Sequence, residues 1–459
     1  MNWKERYAGK LRTAEEAIGI IKPGDMVSYG ANSPWMDPWA LTSALAKRAN
    51  DLHDVTIQIS FSLAAELMLL APGTENAWKC LTGFCLTPFG MEKLSSRSKQ
   101  IDLIPLTPFT MGPEFMGGPF RMEVMKQFRP NVLLTSCTPP SKQGIVTFGS
   151  HLWGIRTLIE GVKAFGGQVI GEVNENLPII PGGDNWMPAD VFDCFVEAMP
   201  FDLSQLADSV VAASTPEEEE MEAVVCAQIA ELVNDGDTIM LGAGRIPMKM
   251  GPFLEHKVDL GCHTEVIMPL ELIKNGVINN KRRNLAPGKT SCTGVWYLTR
   301  DDEELIDSNP SFDIRDTHVN NHPKYICQND NMVSINSPLE ITLFGEIGME
   351  RIGRRYFRGV GGQLEFILGA LMARNGRSIH GTPATAKRPE GIVSRIVPQL
   401  AYPAVSSVPR QFVDFIVTEY GVASLMGKSE REKANELIAI AHPDFRPWLR
   451  EETEKLMLD

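Results

Sequence analysis

No run of apolar residues in the 459-residue chain approaches the roughly 20 needed to span a bilayer, so a membrane protein is not expected. The first residues, "MNWKERYAGKLRTAEEAI", mix charges with apolar side chains and lack the hydrophobic stretch of a secretory signal. Broad positive charge is missing too. The formal net charge is −13, and the two basic runs, "NNKRRNL" (279–285) and "RIGRRYFR" (351–358), are short and isolated, which argues against a nucleic-acid partner. The eight cysteines (Cys80, Cys85, Cys137, Cys194, Cys226, Cys262, Cys292 and Cys327) form no CxxC pair, and no Cys/His cluster has the spacing of a zinc site. Reduced thiols, a cytoplasmic location and no metal are expected. A GxSxG elbow is absent, and no Ser–His–Asp set stands out.

The chain is rich in strands and helices that alternate. "VTIQISF" (55–61), "NVLLTS" (131–136), "QVIGEV" (168–173), "EVIMPL" (265–270), "EITLFG" (340–345) and "DFIVTEY" (414–420) read as strands. "DPWALTSALAKRAN" (37–50) and "GIRTLIEGVKAF" (154–165) read as helices. This alternation predicts an α/β fold with largely parallel sheets. At 212–237 a further helix is announced by Thr215 as N-cap, Pro216 at the first turn and Glu217 to Glu220 near the positive end of the dipole. Met221, Val224, Val225, Ile229 and Leu232 form its expected buried face.

The sequence after that helix repeats the start of the chain. "IKPGDMVSYGA" (21–31) and "VNDGDTIMLGA" (233–243) align without a gap, matching Gly24/Gly236, Asp25/Asp237, Gly30/Gly242 and Ala31/Ala243. A duplication follows, with two similar open α/β domains at about 1–214 and 215–459 and a site in the cleft between them.

Three places carry candidate chemistry. Glu265 is a lone carboxylate in "LGCHTEVIMPLELI" (260–273), at the lip of an apolar segment. "GAGRIPMKM" (242–250) places Gly242, Ala243 and Gly244 in a strand-to-helix loop able to bring backbone N–H groups to a phosphate or oxyanion, although Pro247 replaces the third glycine of a dinucleotide fingerprint. "RYFRGVGGQLEF" (355–366) clusters Gly359, Gly361 and Gly362 before an apolar helix, a place where backbone N–H groups can serve an oxyanion. Lys289 and Lys387 are surface cations when read singly.

Together "GCHTEVI" (261–267), "NGVINNKRRNLAPGK" (275–289), "QNDNMVSINS" (328–337), "GVGGQLEF" (359–366), "SRIVP" (394–398), "VTEYGVASLMGKS" (417–429) and "LIAIAHPDFR" (437–446) resemble the acetyl-CoA hydrolase/transferase group of family I CoA-transferases, particularly its 4-hydroxybutyrate and butyrate branch. "IVTFGSH" (145–151) and "GEVNENLP" (171–178) are similar to that pattern less closely, and the order is kept across nearly the whole chain. The resemblance implies two tandem domains of the CoA-transferase type, with Glu265 as nucleophile and Gly361 or Gly362 as oxyanion donors. It also implies substrate or CoA contacts from Gly242, Ala243, Gly244, Gly359, Val360 and Lys387. Coenzyme A is then a cosubstrate, with no tightly bound cofactor and a homodimer as the family habit. A glutamate near its reference pKa of about 4.3 is anionic at pH 7 and needs no base.

Where relatives have a more polar turn, this chain reads "VIMPLEL" after "HTE", and Arg358 stands beside the glycine loop where a small residue is common. A diacid such as succinate or itaconate, paired to Arg358 or Arg355, is the corresponding expectation. The alternatives are an acyl-CoA hydrolase using the same glutamate and, from another class, a sugar-phosphate isomerase or effector-binding domain, which needs phosphate loops but no "HTE" glutamate.

Overall fold

A computed structural model describes residues 2–30, 33–59, 61–82, 100–104, 130–200, 215–268, 270–297, 299–359, 361–389 and 391–457. Two compact units divide the chain: Met1–Ala212 with Ser291–Asn320, and Ala213–Thr290 with Asn321–Asp459. The first crossing falls within two residues of the boundary expected at 214/215. The stretch 291–320, however, which the sequence places in the second half, belongs to the first unit. A chain that crosses and returns need not change its composition, so nothing in the sequence announces this excursion.

The first unit is built on a seven-stranded sheet. Its strands are β1 (Met26–Tyr29), β2 (Val55–Gln58), β3 (Trp78–Thr82), β4 (Ile101–Leu103), β5 (Val132–Cys137), β6 (Gln168–Val173) and β7 (Cys194–Glu197), in the order β4-β3-β2-β1-β5-β6-β7. Every pairing is parallel. Helix α1 (Trp39–Lys47) follows β1, and α2 (Ile155–Ala164) precedes β6, as the alternation requires.

The second unit opens with α3 (Pro216–Glu231), where Thr215 and Glu218 form a reciprocal capping box. Its buried residues are Glu222, Val225, Cys226, Ile229 and Ala230, whereas Val224 is 45% exposed. The expected apolar face is therefore rotated. Glu222 turns inward because Lys249 and Arg245 meet its carboxylate at 2.6 and 2.8 Å, and a buried charge is tolerated when paired. The sheet comprises β8 (Thr238–Leu241), β9 (Gly261–Cys262), β10 (Met332–Asn336), β11 (Arg377–Gly381), β12 (Phe415–Thr418) and β13 (Gly421–Ser424), ordered β9-β8-β10-β11-β12-β13. All pairings are parallel except the final β12–β13 hairpin. Helix α4 (Gln363–Met372) lays Phe366 and Ala370 against Met240, Ile326 and Met332, while Ile367 joins Ile416, Ala423 and Leu437.

The repeated segment adopts one conformation twice. Gly24 and Gly236 have φ of 84° and 83°, in the left-handed region open to glycine. The Asp25 carboxylate accepts from Lys22 N at 2.8 Å, and that of Asp237 from Asn234 N at 2.6 Å. Val27 pairs with Ile57 and Val132, just as Ile239 pairs with Cys262 and Val333. The N–H of Gly30 then reaches Leu134 O at 2.8 Å and that of Gly242 reaches Ile335 O at 3.0 Å.

Two expected strands need correction. Among the described residues of "EVIMPL", only Val266–Ile267 form a strand, and the residues that join the main sheet are Gly261–Cys262, ahead of the glutamate rather than behind it. "EITLFG" contributes Glu340–Thr342 to a separate three-stranded sheet with Ile347–Gly348 and Ile396–Val397. Val266–Ile267 and Glu340–Thr342 are buried alike, and burial alone does not choose sheet membership. Among the described residues no helix is long and apolar enough to cross a membrane.

Candidate active site

Parallel sheets present their functional loops at the carboxyl ends of the strands, and the second unit follows this rule. β9 is the outermost strand. Beyond it His263 N still bonds to Ile239 O at 3.1 Å, and the Thr264 hydroxyl donates to Leu241 O at 3.1 Å and to Val266 O at 3.2 Å. His263 and Thr264 are buried, and the His263 ring meets Phe366 of α4 edge to face at 5.9 Å. The chain leading to Glu265 is thus fixed on both sides, and Glu265 emerges where β8 turns into the Gly242–Gly244 loop.

The glutamate itself is half-buried, with its carboxyl enclosed. Asn321 Nδ2 donates to Glu265 Oε1 at 2.9 Å, and the Gly362 N–H donates to the same carboxyl. Gly362 is the N-cap of the ten-residue α4, so the carboxylate lies at the positive end of a helix dipole. Burial nevertheless pushes the Glu265 carboxyl up to about 7, against the pull of these two hydrogen bonds. The sequence-based expectation of an ordinary, fully ionised glutamate is corrected here: enclosure by the fold removes water from the charged form.

Gly362 is required by space. A Cβ there would stand 2.8 Å from Glu265 Oε1, 3.0 Å from its Cδ, and against Asn321 Nδ2. Gly361 serves conformation instead, with φ of 63° and open space around its absent side chain. Gly359 is buried, and Val360 lies outside the described residues. The Gly242–Gly244 loop rests on the end of β10, since a Cβ on Gly242 would meet Asn336 Oδ1 at 2.8 Å and one on Gly244 would meet Ser337 Cβ at 3.0 Å. Ala243 between them is exposed.

Arg358 is placed differently from the expectation of a substrate-facing cation. Its Nε donates to Met349 O at 3.2 Å and its Nη2 to Ser337 O, so the guanidinium braces the start of the glycine loop against the end of β10. Arg355 is exposed and lies over the Phe357 ring at 5.0 Å. Lys387 is exposed on the hairpin of Thr385–Arg388 and Gly391–Ser394, with Glu217 as a charged neighbour. The structure therefore gathers Glu265, Asn321 and Gly362, with the Gly242–Gly244 loop starting one residue after Leu241, which Thr264 contacts, and it does not show Lys387 joining them. Asn321, fully buried, is the site residue that the sequence reading missed. Its only signal is its place in "NNHP" (320–323), directly before the His322-capped turn Pro323–Ile326.

The model of the acetyl-CoA hydrolase/transferase C-terminal domain matches residues 302–453. The 4-hydroxybutyrate coenzyme A transferase of Clostridium kluyveri is 33% identical over 460 residues, covering 99% of this chain and 100% of the relative. The chain belongs to the acetyl-CoA hydrolase/transferase group of CoA-transferases. Within this family, the succinyl-CoA:cyclohexane-1-carboxylate CoA transferase of Geobacter metallireducens is 30% identical, covering 99% of this chain and 97% of its own. The crystal structure of RipA from Yersinia pestis superposes with a TM-score of 0.84 at 29% identity, covering 99% of both chains. That of the 4-hydroxybutyrate CoA-transferase from Porphyromonas gingivalis gives 0.75 at 29%, covering 99% and 100%. The two-domain α/β architecture is shared with these neighbours.

Proposed function

We propose that the protein is a CoA-transferase that moves CoA between a short-chain acyl-CoA and a free carboxylic acid through a glutamyl-CoA thioester on Glu265. The observation that carries this reading is the carboxyl of Glu265 held between Asn321 Nδ2 and the Gly362 N–H at a helix N-terminus. A donor pair aimed at the nucleophile's own carboxyl supports a mechanism in which that carboxyl carbon is itself attacked.

In the first step a Glu265 oxygen attacks the thioester carbonyl, the C–S bond breaks, and CoA leaves as thiolate, giving an acyl-glutamyl anhydride. The thiolate then attacks Glu265 Cδ. Negative charge develops on the glutamyl oxygen beside Asn321 and Gly362, and the donor acid departs as a carboxylate. An incoming carboxylate attacks the glutamyl thioester in the same manner, and the returning thiolate takes its acyl group, restoring Glu265. Thioester energy is conserved at every stage, so the exchange needs no ATP. Loss of water around the carboxylate, which raises its pKa, also strips the hydration that weakens it as a nucleophile. The Gly242–Gly244 loop, beside the end of β8, supplies backbone amides for the CoA moiety.

The relatives' names include the monoacids 4-hydroxybutyrate, butyrate and cyclohexane-1-carboxylate and, as the CoA donor of the Geobacter enzyme, the diacid thioester succinyl-CoA. With Arg358 engaged on backbone carbonyls, a small monoacid is favoured over a diacid. The test is to supply butyryl-CoA with acetate and follow acetyl-CoA formation against release of free CoA. Exchange without net CoA release supports the transferase. Steady release independent of acetate contradicts it and supports the acyl-CoA hydrolase.

A further inference from the structure

The basic run at 279–285 has no part in the chemistry above, and the fold treats its three cations unequally. Lys281 and Arg282 are exposed, and Arg282 pairs with Asp259 at 3.0 Å, whereas Arg283 is only 3% exposed. The reason lies in the neighbouring strand. β9 is the edge strand of its sheet, and an edge strand leaves outward-facing N–H and C=O groups without a strand to receive them. On its inner side it is bonded to β8, with Gly261 N on Asp237 O at 2.8 Å and His263 N on Ile239 O at 3.1 Å. On its outer side, the backbone bridges Leu260 to Ile278, with Leu260 N on Val277 O at 2.9 Å, and at Cys262 side chains take over from that backbone. Cys262 N donates to Asn280 Oδ1 at 2.8 Å, and Cys262 O accepts from Arg283 Nη1 at 2.9 Å.

The same guanidinium reaches further. Arg283 Nη1 also donates to Lys289 O, and Nε donates to Asn329 Oδ1 at 3.2 Å. Asn329 Nδ2 lies 2.9 Å from His263 Nδ1. Asn280 is held in turn by a bond from its Nδ2 to Thr290 Oγ1 at 2.9 Å. Gly261 is the residue that admits this arrangement, because a Cβ there would stand 2.5 Å from Arg283 Cγ.

We infer that Arg283 is a positioning residue for the transfer reaction: it completes the edge strand at Cys262 and, through Asn329, fixes the His263 ring, so that the two residues on which the reach of Glu265 depends cannot shift. This rests on the glutamyl-CoA reading of Glu265. A planar fork of five donors can serve Cys262, Lys289 and Asn329 at once, which a lysine ammonium on its flexible stem cannot.

The test uses full-length Arg283→Lys, with Lys281→Ala as control, and measures the rate of covalent CoA adduct formation per folded molecule together with kcat, KM and Tm. Arg283→Lys is expected to slow adduct formation and kcat together by about 10- to 100-fold, since a displacement near 1 Å at a reacting group has effects of that size. KM for acyl-CoA is expected to stay within about twofold. Lys281→Ala is expected to match wild type. A folded Arg283→Lys with the wild-type adduct rate overturns the inference, as does a loss confined to Tm. Should Arg283→Lys not fold, Asn329→Ala decides by the same rate: slowing supports the relay and a wild-type rate overturns it. Absence of adduct in the wild type itself overturns the reading of Glu265, an outcome distinct from failure of the relay alone.

Discussion

Each unit encloses a glutamate whose carboxyl is pushed up to about 7 by burial, and the two are held in different ways. Glu172, on β6 of the first unit, is 1% exposed and accepts from Ala40 N at 3.2 Å and Leu41 N at 3.0 Å, at the start of α1. Glu265 is half-buried and accepts from the Asn321 side-chain amide and the Gly362 backbone amide. A raised pKa is therefore common to a carboxylate that closes a helix end and to the one proposed as nucleophile. Access and the surrounding donors separate them, and the two can be told apart by substitution.

The largest contrast is at Glu265. Glu265→Gln is expected to abolish the CoA adduct, read by intact mass, without loss of fold. At pH 8 its Tm should rise by a few degrees. The sign follows from linkage: the folded state binds the Glu265 proton more tightly than the unfolded chain, so stability falls as pH rises from the ordinary carboxylate range to about 7, and glutamine removes that dependence. Gly362→Ala is next. Its Cβ would stand 2.8 Å from Glu265 Oε1, and adduct formation is expected to slow by about 100-fold in rapid-quench measurements.

Asn321→Ala should slow the same step by about 10-fold and move its pH inflection upward from about 7, because the Asn321 hydrogen bond favours the anion. For wild type the adduct rate should rise with pH through about 7 as Glu265 loses its proton. Glu172→Ala completes the comparison with the smallest effect on chemistry. It leaves Ala40 N and Leu41 N without their acceptor and should lower stability by about 1–3 kcal/mol in denaturant titration, with the adduct rate per folded molecule unchanged.

The parts of this account legible in the sequence are those whose cause is local. A glycine forced to positive φ and an aspartate closing its turn leave the same letters at 24–25 and 236–237, so the paired strands could be read directly. The capping box at Thr215 is similarly local. The resemblance places Glu265 opposite the glycine loop, and the Gly362 N–H donates to its carboxyl. What escaped depends on distant residues. Asn321 reaches Glu265 across 56 positions, and its place before the His322-capped turn does not name that partner. The inward turn of Glu222 needs Arg245 and Lys249 from beyond its helix. The apolar run points to a sheet strand that starts at Glu265, in "EVIMPL", whereas the strand lies before it in "GC", where Asn280 and Arg283 bond the outward-facing Cys262 backbone. The elevated pKa of Glu265 is likewise a property of its enclosure.

The most direct test of the central claim is to mix the protein with acyl-CoA in the absence of any acceptor acid, trap the products with borohydride or by rapid acid quench, and map the modified peptide by mass spectrometry. A CoA thioester, or its reduced alcohol after borohydride, on the carboxyl of Glu265 and on no other residue is the predicted result. Turnover by the Glu265→Gln protein at the wild-type rate, with no modification at that position in the wild type, would contradict it.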